Sequence, residues 1–347
     1  MVSGLFFALE MVSLVLEKAN DILFVSHYGA AVGRGHLSRM NYLQQEMAAK
    51  ADLKGASLSL SVVDSAEFLQ SLKGQPPNQI QTPVLASTIK GIISSQALNV
   101  ILDIPWDRFA STEVIKFIEA IPQGVKITCV DGPLFDINRN VRKVFPSISR
   151  PNTNDRFSEV SWGSQYVLAK RRDTNWFWEP GPKWLVLTGS TENDKYAPLF
   201  AEHLSSRARS VHEFQWALGS EASPELKRAA NDLKFLPVPP EDFDHQQTTA
   251  SYSICRFGVS ALEMLALGIP TIILPGWTSK ENGEIAEIKA ERIAIVLDDW
   301  DQLGPAVDFL TTDAALASAF SSSCVNYFGF KSEPDWSERF TSLFLHS

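Results

Sequence analysis

The first stretch that could do chemistry is Gly33-Arg34-Gly35-His36, a small-residue loop that leads from an apolar run into a helical pattern. Glycines let a ligand approach the backbone closely, and a histidine titrates near neutral pH. His36 is therefore predicted to take a proton from water or from a hydroxyl group of the ligand. The alternative is a helix-capping or core histidine, which is the commoner role of an isolated histidine.

The second stretch runs from Ser253 to Leu274 and has the pattern of strand, turn, helix, stop and strand. Gly258 precedes the short helix, where N–H groups without intrahelical partners and the helix dipole favour an anion such as a diphosphate. Glu263 lies more than one turn into that helix, and its carboxylate could accept hydrogen bonds from ribose hydroxyls. An ordinary buried crossover with a surface glutamate would produce the same pattern.

Alternating strand and helix patterns must position both stretches, and they predict α/β architecture with parallel sheets covered on both faces. Asp103 and Asp131 stand at carboxyl ends of predicted strands, where they could bind substrate hydroxyls or cap the following turn. The predicted strands are Asp21–Ser26, Leu58–Val63, Val100–Ile104, Val125–Asp131, Trp184–Leu187, His212–Ala217, Lys234–Val238, a strand at Ser253, Thr271–Leu274 and Ala294–Leu297.

The length of 347 residues exceeds that of a usual single core and predicts two domains. The sequence becomes polar and rich in Pro, Gly and Asn after Pro146, and a second strand-turn-helix series starts near Trp184. The predicted divisions are a first Rossmann-like domain over 1–165, a linker over 166–182, a second domain over 183–324 and an aromatic helix over 325–347.

Composition excludes several classes of function. A net charge of -9 and a pI near 5.3 argue against general nucleic-acid binding. Three widely spaced cysteines predict reduced thiols in a cytoplasmic protein. Residues 1–20 predict an amphipathic helix and no stable membrane insertion, because Glu10 and Glu17 interrupt the apolar run. The HExxH, paired CxxC, GxSxG and Walker patterns are absent from the sequence.

The first loop also carries a family resemblance. It resembles the GxGHxxRC motif of GT-B nucleotide-sugar enzymes, in particular the UDP-sugar hydrolases of pseudaminic acid biosynthesis and the related spore-coat polysaccharide proteins. Gly33, Gly35, His36 and Arg39 match that motif, and Met40 stands in place of the cysteine.

Three further segments follow in the family's order. Gly163, Tyr166 and Arg171 resemble its GPxYxxLR segment, Leu187–Thr191 resembles its MGGSD turn, and the FGVSALEMLALGIPTI stretch resembles GGSTxYExxALGVPTI. The resemblance runs from about Asp21 to about Ile288, and motifs in the right order are more specific than any single one.

The resemblance implies a GT-B fold, with two Rossmann-like domains that face a central cleft, and a reaction that needs no metal or cofactor. His36 would be the catalytic base that activates water for attack on the anomeric carbon of a UDP-activated amino or deoxy sugar. The residues implied to bind the sugar are Gly33, Arg34, Gly35, Arg39, Asp131, Tyr166 and Asn282. Those implied to bind the nucleotide are Gly189, Ser190, Thr191, Phe257, Gly258, Val259, Ser260 and Glu263.

Two departures from the family leave alternatives open. Phe257 replaces the first glycine of the phosphate turn and is expected to make that turn bulkier, and Glu281-Asn282-Gly283 stands where the family has DNQ. An inverting glycosyltransferase would use the same base on the hydroxyl of an acceptor instead of water. A protein that binds a sugar nucleotide without catalysis is the third interpretation.

Overall fold

The computed structural model describes residues 21–28, 35–48, 58–64, 81–95, 97–106, 109–151, 159–167, 177–189, 195–218, 222–239 and 242–328. The chain forms two compact units: the first takes in Met1–Pro146 and Pro151–Tyr166, and the second takes in Ser147–Arg150 and the chain from Val167 to Asp335. The predicted helix over residues 1–20 and the aromatic tail beyond Phe328 lie outside the described residues.

The described residues of the first unit form a parallel six-stranded sheet in the order β2-β1-β3-β4-β5-β6. Its strands are β1 (Ile22–Tyr28), β2 (Leu58–Asp64), β3 (Asn99–Asp103), β4 (Lys126–Val130), β5 (Arg142–Phe145) and β6 (Glu159–Trp162). The helices are α1 (Gly35–Ala48), α2 (Gln81–Ser95) and α3 (Ser111–Ala120).

The described residues of the second unit form another parallel six-stranded sheet, in the order β12-β11-β10-β7-β8-β9. Its strands are β7 (Lys183–Leu187), β8 (Glu213–Ala217), β9 (Leu236–Val238), β10 (Tyr252–Cys255), β11 (Thr271–Ile273) and β12 (Ile295–Val296). The helices are α4 (Tyr196–His203), α5 (Ser206–Val211), α6 (Pro224–Asp232), α7 (Phe243–Thr249), α8 (Val259–Ala266), α9 (Asn282–Glu291), α10 (Leu303–Thr312) and α11 (Ala314–Tyr327).

Both faces of the second sheet are buried, as its apolar strands predict. Trp184 and Val186 of β7 belong to one buried apolar cluster, whereas Leu185 and Leu187 belong to another. Successive side chains of a strand point to opposite faces, so the two clusters lie on the two sides of the sheet. This arrangement confirms the predicted fold class, α/β with two parallel sheets.

The sequence-based assignment missed two strands, β5 and β6. In β5 the buried Lys143 interrupts the apolar pattern from which the other strands were predicted. The last strand, β6, lies at the sheet edge with no fully buried residue, within the polar region that follows Pro146. Its side chains are at most half-buried, so they need not be apolar and give a weak strand pattern.

The helix stop in the second unit is as predicted. Gly268 adopts a φ of 70°, the N–H of Gly268 donates to the carbonyl of Leu265 (2.9 Å), and that of Ile269 donates to Met264 (3.0 Å). A glycine in the left-handed region closes the last turn of α8 in this way and turns the chain into β11. Among the described residues, no helix has both the length and the apolar character that crossing a bilayer requires.

In each sheet, successive strands are added first on one side of the starting strand and then on the other, so the strand order reverses at one place. This place lies between β1 and β3 in the first unit and between β7 and β10 in the second. Ligands of open α/β sheets bind beyond the carboxyl ends of the strands at such a reversal. The segment that leads to His36 follows β1, and the turn at Gly258 follows β10. Both strands flank these positions.

Candidate functional site

The polar site of the first unit is assembled from the ends of three adjacent strands. His36 is the second residue of α1, which follows β1, and Arg39 lies one turn further along the same helix. Asp103 ends β3, and Asp131 directly follows β4. These four side chains, which we call the His36 cluster, meet because β1, β3 and β4 are neighbours in the sheet.

Asp103 is the centre of the His36 cluster and is fully buried. Its Oδ1 lies 2.6 Å from Nδ1 of His36 and accepts a hydrogen bond from Nη2 of Arg39 (2.7 Å), while its Oδ2 accepts from Nε of Arg39 (2.9 Å). Arg39 also donates from Nη1 to Oδ2 of Asp131 (2.5 Å). The guanidinium therefore joins the two carboxylates, with the bidentate geometry that makes such pairs strong.

These contacts fix the charge states of the buried pair. Burial alone would raise the pKa of Asp103, but the charges of Arg39 and His36 and their hydrogen bonds outweigh it and lower that pKa. Burial works against the charged form of Arg39 too, yet Asp103 and Asp131 raise its pKa above the ordinary value. Asp103 is therefore an ionised carboxylate near neutral pH.

The ionised Asp103 determines which nitrogen of His36 carries the proton. A carboxylate only accepts hydrogen bonds, so Nδ1 of a neutral His36 is the protonated nitrogen and Nε2 has the free lone pair. In the described part of the chain Nε2 has no hydrogen-bond partner, and 21% of the side chain is exposed. Nε2 can thus accept a proton from a bound water or hydroxyl, as a general base must.

Asp131 presents its carboxylate in an unusual backbone conformation. Its φ is 48°, in the left-handed region, and its side chain is 40% exposed. Arg39 holds Oδ2, whereas Oδ1 has no partner among the described residues. A non-glycine residue held in this region is common at functional sites, where the surrounding structure imposes the conformation.

The remaining sugar-side candidates are spread along the chain. Gly35 begins α1, and Tyr166 ends a short 3₁₀ turn, Ser164–Tyr166, in the first unit. Asn282 belongs to the second unit, where it begins α9. Gly33 and Arg34 lie outside the described residues.

Two glycine turns follow neighbouring strands of the second unit. Gly189 lies after β7 with a φ of 90°, and Gly258 lies after β10 with φ 154° and ψ −166°. These conformations are favourable for glycine alone, and a Cβ at either position would meet no heavy atom within 4 Å. Both backbones are therefore open to a ligand. Ser190 and Thr191, predicted in the first turn, lie outside the described residues.

The second turn leads into the N-terminus of α8. The first helical bond runs from the N–H of Leu262 to the carbonyl of Gly258 (3.2 Å), so the N–H groups of Val259 and Ser260 precede the intrahelical pattern. Such groups, together with the helix dipole, favour a bound anion.

The expectation that Phe257 makes this turn bulkier is wrong. Its side chain is only 6% exposed and packs in the buried apolar cluster that contains Leu187 and Cys255. The ring fills the core beneath the turn, so only the backbone of Phe257 lies at the turn itself.

Glu263 occupies the fifth position of α8, as its distance from Gly258 predicted. Its Oε2 accepts a hydrogen bond from Nε2 of Gln247 (3.2 Å), a residue of α7 that is only 4% exposed. A buried amide on the neighbouring helix therefore orients the carboxylate. Gln247 was not predicted, because nothing in the sequence connects α7 to α8.

No group of His, Cys, Asp and Glu side chains among the described residues is arranged to hold a metal ion.

A second histidine, which the sequence did not single out, lies beside the His36 cluster. His27 of β1 is 2% exposed, with Nε2 3.4 Å from Oγ1 of Thr88 and its ring edge-on to Phe109. Burial, and next the charge of His36, lower the pKa of His27 to about 4 from the ordinary 6.5. His27 is therefore neutral in the folded protein at the pH at which His36 would work.

We expect His27 to make the fold less stable in mild acid. Between pH 6.5 and 4 the unfolded chain binds a proton at this residue and the folded chain does not, so stability falls as the pH falls. The contribution is about 2 kcal/mol of unfolding free energy between pH 7.5 and pH 5. Denaturant unfolding of His27→Gln should show a pH dependence that is smaller by that amount. His245→Gln, at an exposed site, is the control, and equal pH dependence in wild type and His27→Gln would contradict the assignment.

Comparison with known proteins gives no match at the level of sequence, either to a protein family or to a curated protein. Solved structures do match. S. aureus MnaA in complex with UDP has a TM-score of 0.58 at 13% identity, over 94% of this chain and 97% of that one. A Listeria monocytogenes protein provisionally described as a UDP-N-acetylglucosamine 2-epimerase has a TM-score of 0.60 at 12% identity, with the same coverage.

A third match is Phytolacca americana UGT2 in complex with UDP-2-fluoro-glucose and pterostilbene. Its TM-score is 0.53 at 13% identity, over 94% of this chain and 98% of that one. At such low identities the likeness shows the fold alone: α/β with two parallel sheets, as in GT-B proteins.

Proposed function

We propose that this protein is a nucleotide-sugar hydrolase that cleaves the anomeric C–O bond of a UDP-activated amino or deoxy sugar. The observation that carries the proposal is the His36 cluster, in which Asp103, itself held by Arg39, orients the imidazole, and Nε2 has no partner among the described residues. This arrangement suits proton abstraction from a bound water.

In the proposed reaction, His36 takes a proton from water as the water oxygen bonds to the anomeric carbon. The bond from that carbon to the phosphate oxygen breaks, and UDP leaves with the electron pair. The charge of Asp103 stabilises the imidazolium that forms, and the proton then passes to solvent. Arg39 acts as a positioning residue, because its guanidinium is occupied by two carboxylates.

The second unit is proposed to bind the nucleotide. Open backbones at Gly189 and Gly258, with the N–H groups of Val259 and Ser260, suit a diphosphate and stabilise the charge that it gains on leaving. Glu263 would bind the ribose, and Ser190, Thr191 and the backbone of Phe257 complete the proposed site. Solved neighbours that contain UDP or a UDP-sugar analogue support this choice of ligand.

On the sugar side, Asp131 is proposed to accept hydrogen bonds from sugar hydroxyl or amino groups through its free oxygen. Gly33, Arg34, Gly35, Tyr166 and Asn282 stay proposals from the sequence resemblance. Water would be the second substrate.

A glycosyltransferase is the second candidate, since one neighbour was solved with pterostilbene beside a UDP-sugar analogue. The same base would then deprotonate an acceptor hydroxyl. A protein that binds the donor without turnover is the third.

The deciding experiment is incubation of the purified protein with a panel of UDP- and CMP-sugars without acceptor, followed by chromatography of nucleotides and sugars. The proposal expects release of UDP and free sugar from one donor class. Donor binding without release would favour the transferase or the binding protein. An isomerised UDP-sugar would instead indicate an epimerase, the activity ascribed to one structural neighbour.

Glu263→Gln is expected to weaken UDP binding about 10-fold or more, because a charged acceptor for ribose hydroxyls is lost. Turnover at saturating donor should change little. Isothermal titration with UDP measures the effect, and Glu225→Gln on the exposed face of α6 is the control. Unchanged UDP affinity in Glu263→Gln would remove Glu263 from the nucleotide site.

A further inference from the structure

Lys143 is a charged residue in the interior of the first unit that the proposed reaction does not use. It lies in β5, and its side chain is fully buried. Its ammonium donates to the carbonyl of Pro133 (2.5 Å) and to that of Phe135 (3.0 Å). Burying an ammonium is costly, and a methionine of similar length would fill the space without that cost. The hydrogen bonds to the two carbonyls offset part of that cost.

Those groups belong to the turn that follows Asp131, residues 131–135, here called the Asp131 turn. The main chain of β5 holds the same turn, since the N–H of Asp131 donates to the carbonyl of Val144 (2.9 Å). From the other side, the indole of Trp106, three residues after Asp103, donates to the carbonyl of Val130 (3.0 Å). The Asp131 turn is therefore held by the buried Lys143, and the residue just before it by the buried Trp106.

Gly132 shows how closely the turn fits the lysine. A Cβ on Gly132 would lie 3.2 Å from Cγ of Lys143 and 3.0 Å from Cβ of Cys129. The aliphatic part of Lys143 thus passes directly against the backbone of Gly132. A side chain there would require Lys143 or Cys129 to shift by a few tenths of an ångström.

We propose that Lys143 is a positioning residue for the proposed reaction. It holds the Asp131 turn so that Asp131 keeps its left-handed conformation, with Oδ2 toward Arg39 and Oδ1 without a partner among the described residues. Through Arg39 the same restraint reaches Asp103 and the orientation of His36. This role rests on the proposed function, but its structural part can be measured without any turnover.

The structural test is hydrogen exchange at the Asp131 amide in Lys143→Met. If the lysine holds the turn, the exchange rate of the Asp131 amide rises about 10-fold or more in this variant. The reason is that this amide becomes accessible when the turn opens. The amides of β7 in the second unit keep their rates. Lys116→Met, at an exposed position of α3, is the matched control. Unchanged exchange at Asp131 would overturn the proposal, whether or not the protein hydrolyses any donor.

The functional test is a double-mutant cycle with Asp131→Ala. Lys143→Met alone should lower kcat/KM by about 10- to 100-fold, the size of effect that a misplaced group at the site produces. In the Asp131→Ala background it should cause no further loss, because Lys143 acts through Asp131. Losses that multiply would overturn the proposal.

Gly132→Ala keeps the experiment decisive if Lys143→Met yields no folded protein. The added methyl group tightens the contact between residue 132 and the aliphatic part of Lys143 without removing the buried charge. The expected signature is the same, faster exchange at Asp131 and a lower kcat/KM that depends on Asp131, and its absence in folded Gly132→Ala protein would likewise overturn the role of Lys143.

Discussion

His36→Ala should lower turnover by about two to four orders of magnitude, the usual contribution of a general base. The affinity for UDP should stay nearly unchanged, since the nucleotide is assigned to the second unit. The loss of turnover is expected because Nε2 of His36 has no hydrogen-bond partner among the described residues and can accept a proton, while Nδ1 is engaged by Asp103. Steady-state kinetics and UDP titration of the same protein sample measure both quantities.

The matched control is His203→Ala. His203 is also paired with a carboxylate, Nδ1 lying 3.1 Å from Oδ1 of Asp301, but it lies at the end of α4 in the second unit. It should leave turnover unchanged. If His36→Ala instead lost UDP affinity as strongly as turnover, His36 would belong to the nucleotide site and the assignment of a base would be wrong.

Asp103→Asn should have the largest effect on stability, a loss of about 3–5 kcal/mol in unfolding free energy. The side chain of Arg39 is only 3% exposed, and the substitution removes the main counter-charge of its guanidinium. Asp131 alone does not replace that charge. Turnover should fall as well, because a neutral amide no longer fixes the tautomer of His36. Urea unfolding measures the stability.

Because the pKa of Asp103 is lowered in the fold, its stabilisation is present above the ordinary carboxyl pKa and is lost as the pH falls through the folded value.

Asp131→Asn is the control for this effect. Asp131 contacts the same guanidinium, but its side chain is 40% exposed, so solvent compensates and the expected loss is about 1 kcal/mol or less. The paired change Arg39→Met with Asp103→Leu removes both charges and should regain stability without regaining turnover. Equal stability losses in Asp103→Asn and Asp131→Asn would contradict the central position of Asp103.

The elements predicted from sequence are those whose signals are local. Short β-branched runs ending in glycine turns predict the strands of both parallel sheets. Gly258 and Gly268 correctly predict where α8 begins and ends. Strand β5 was missed because Lys143 stands where an apolar residue was expected, and nothing local reveals that its charge is satisfied by a turn several residues earlier.

The site could be predicted only in part for the same reason. His36 stood out through its glycines, but its contact with Asp103 depends on the neighbouring positions of β1 and β3, which a sequence does not state. The sequence alone does not decide whether Asp103 binds a ligand or caps a turn, and the side chain of Phe257 fills the core beneath its turn instead of crowding it. Residues that act through others, such as Gln247 and Lys143, gave no signal at all.

The most direct test of the central claim is the position of bond cleavage. The protein is incubated with its UDP-sugar donor in water enriched in ¹⁸O, and the released UDP is examined by mass spectrometry, because free reducing sugars exchange their anomeric oxygen with water. Attack on the anomeric carbon by water that His36 activates predicts UDP without ¹⁸O. UDP that carries one ¹⁸O would show attack at phosphorus and would contradict the proposed reaction.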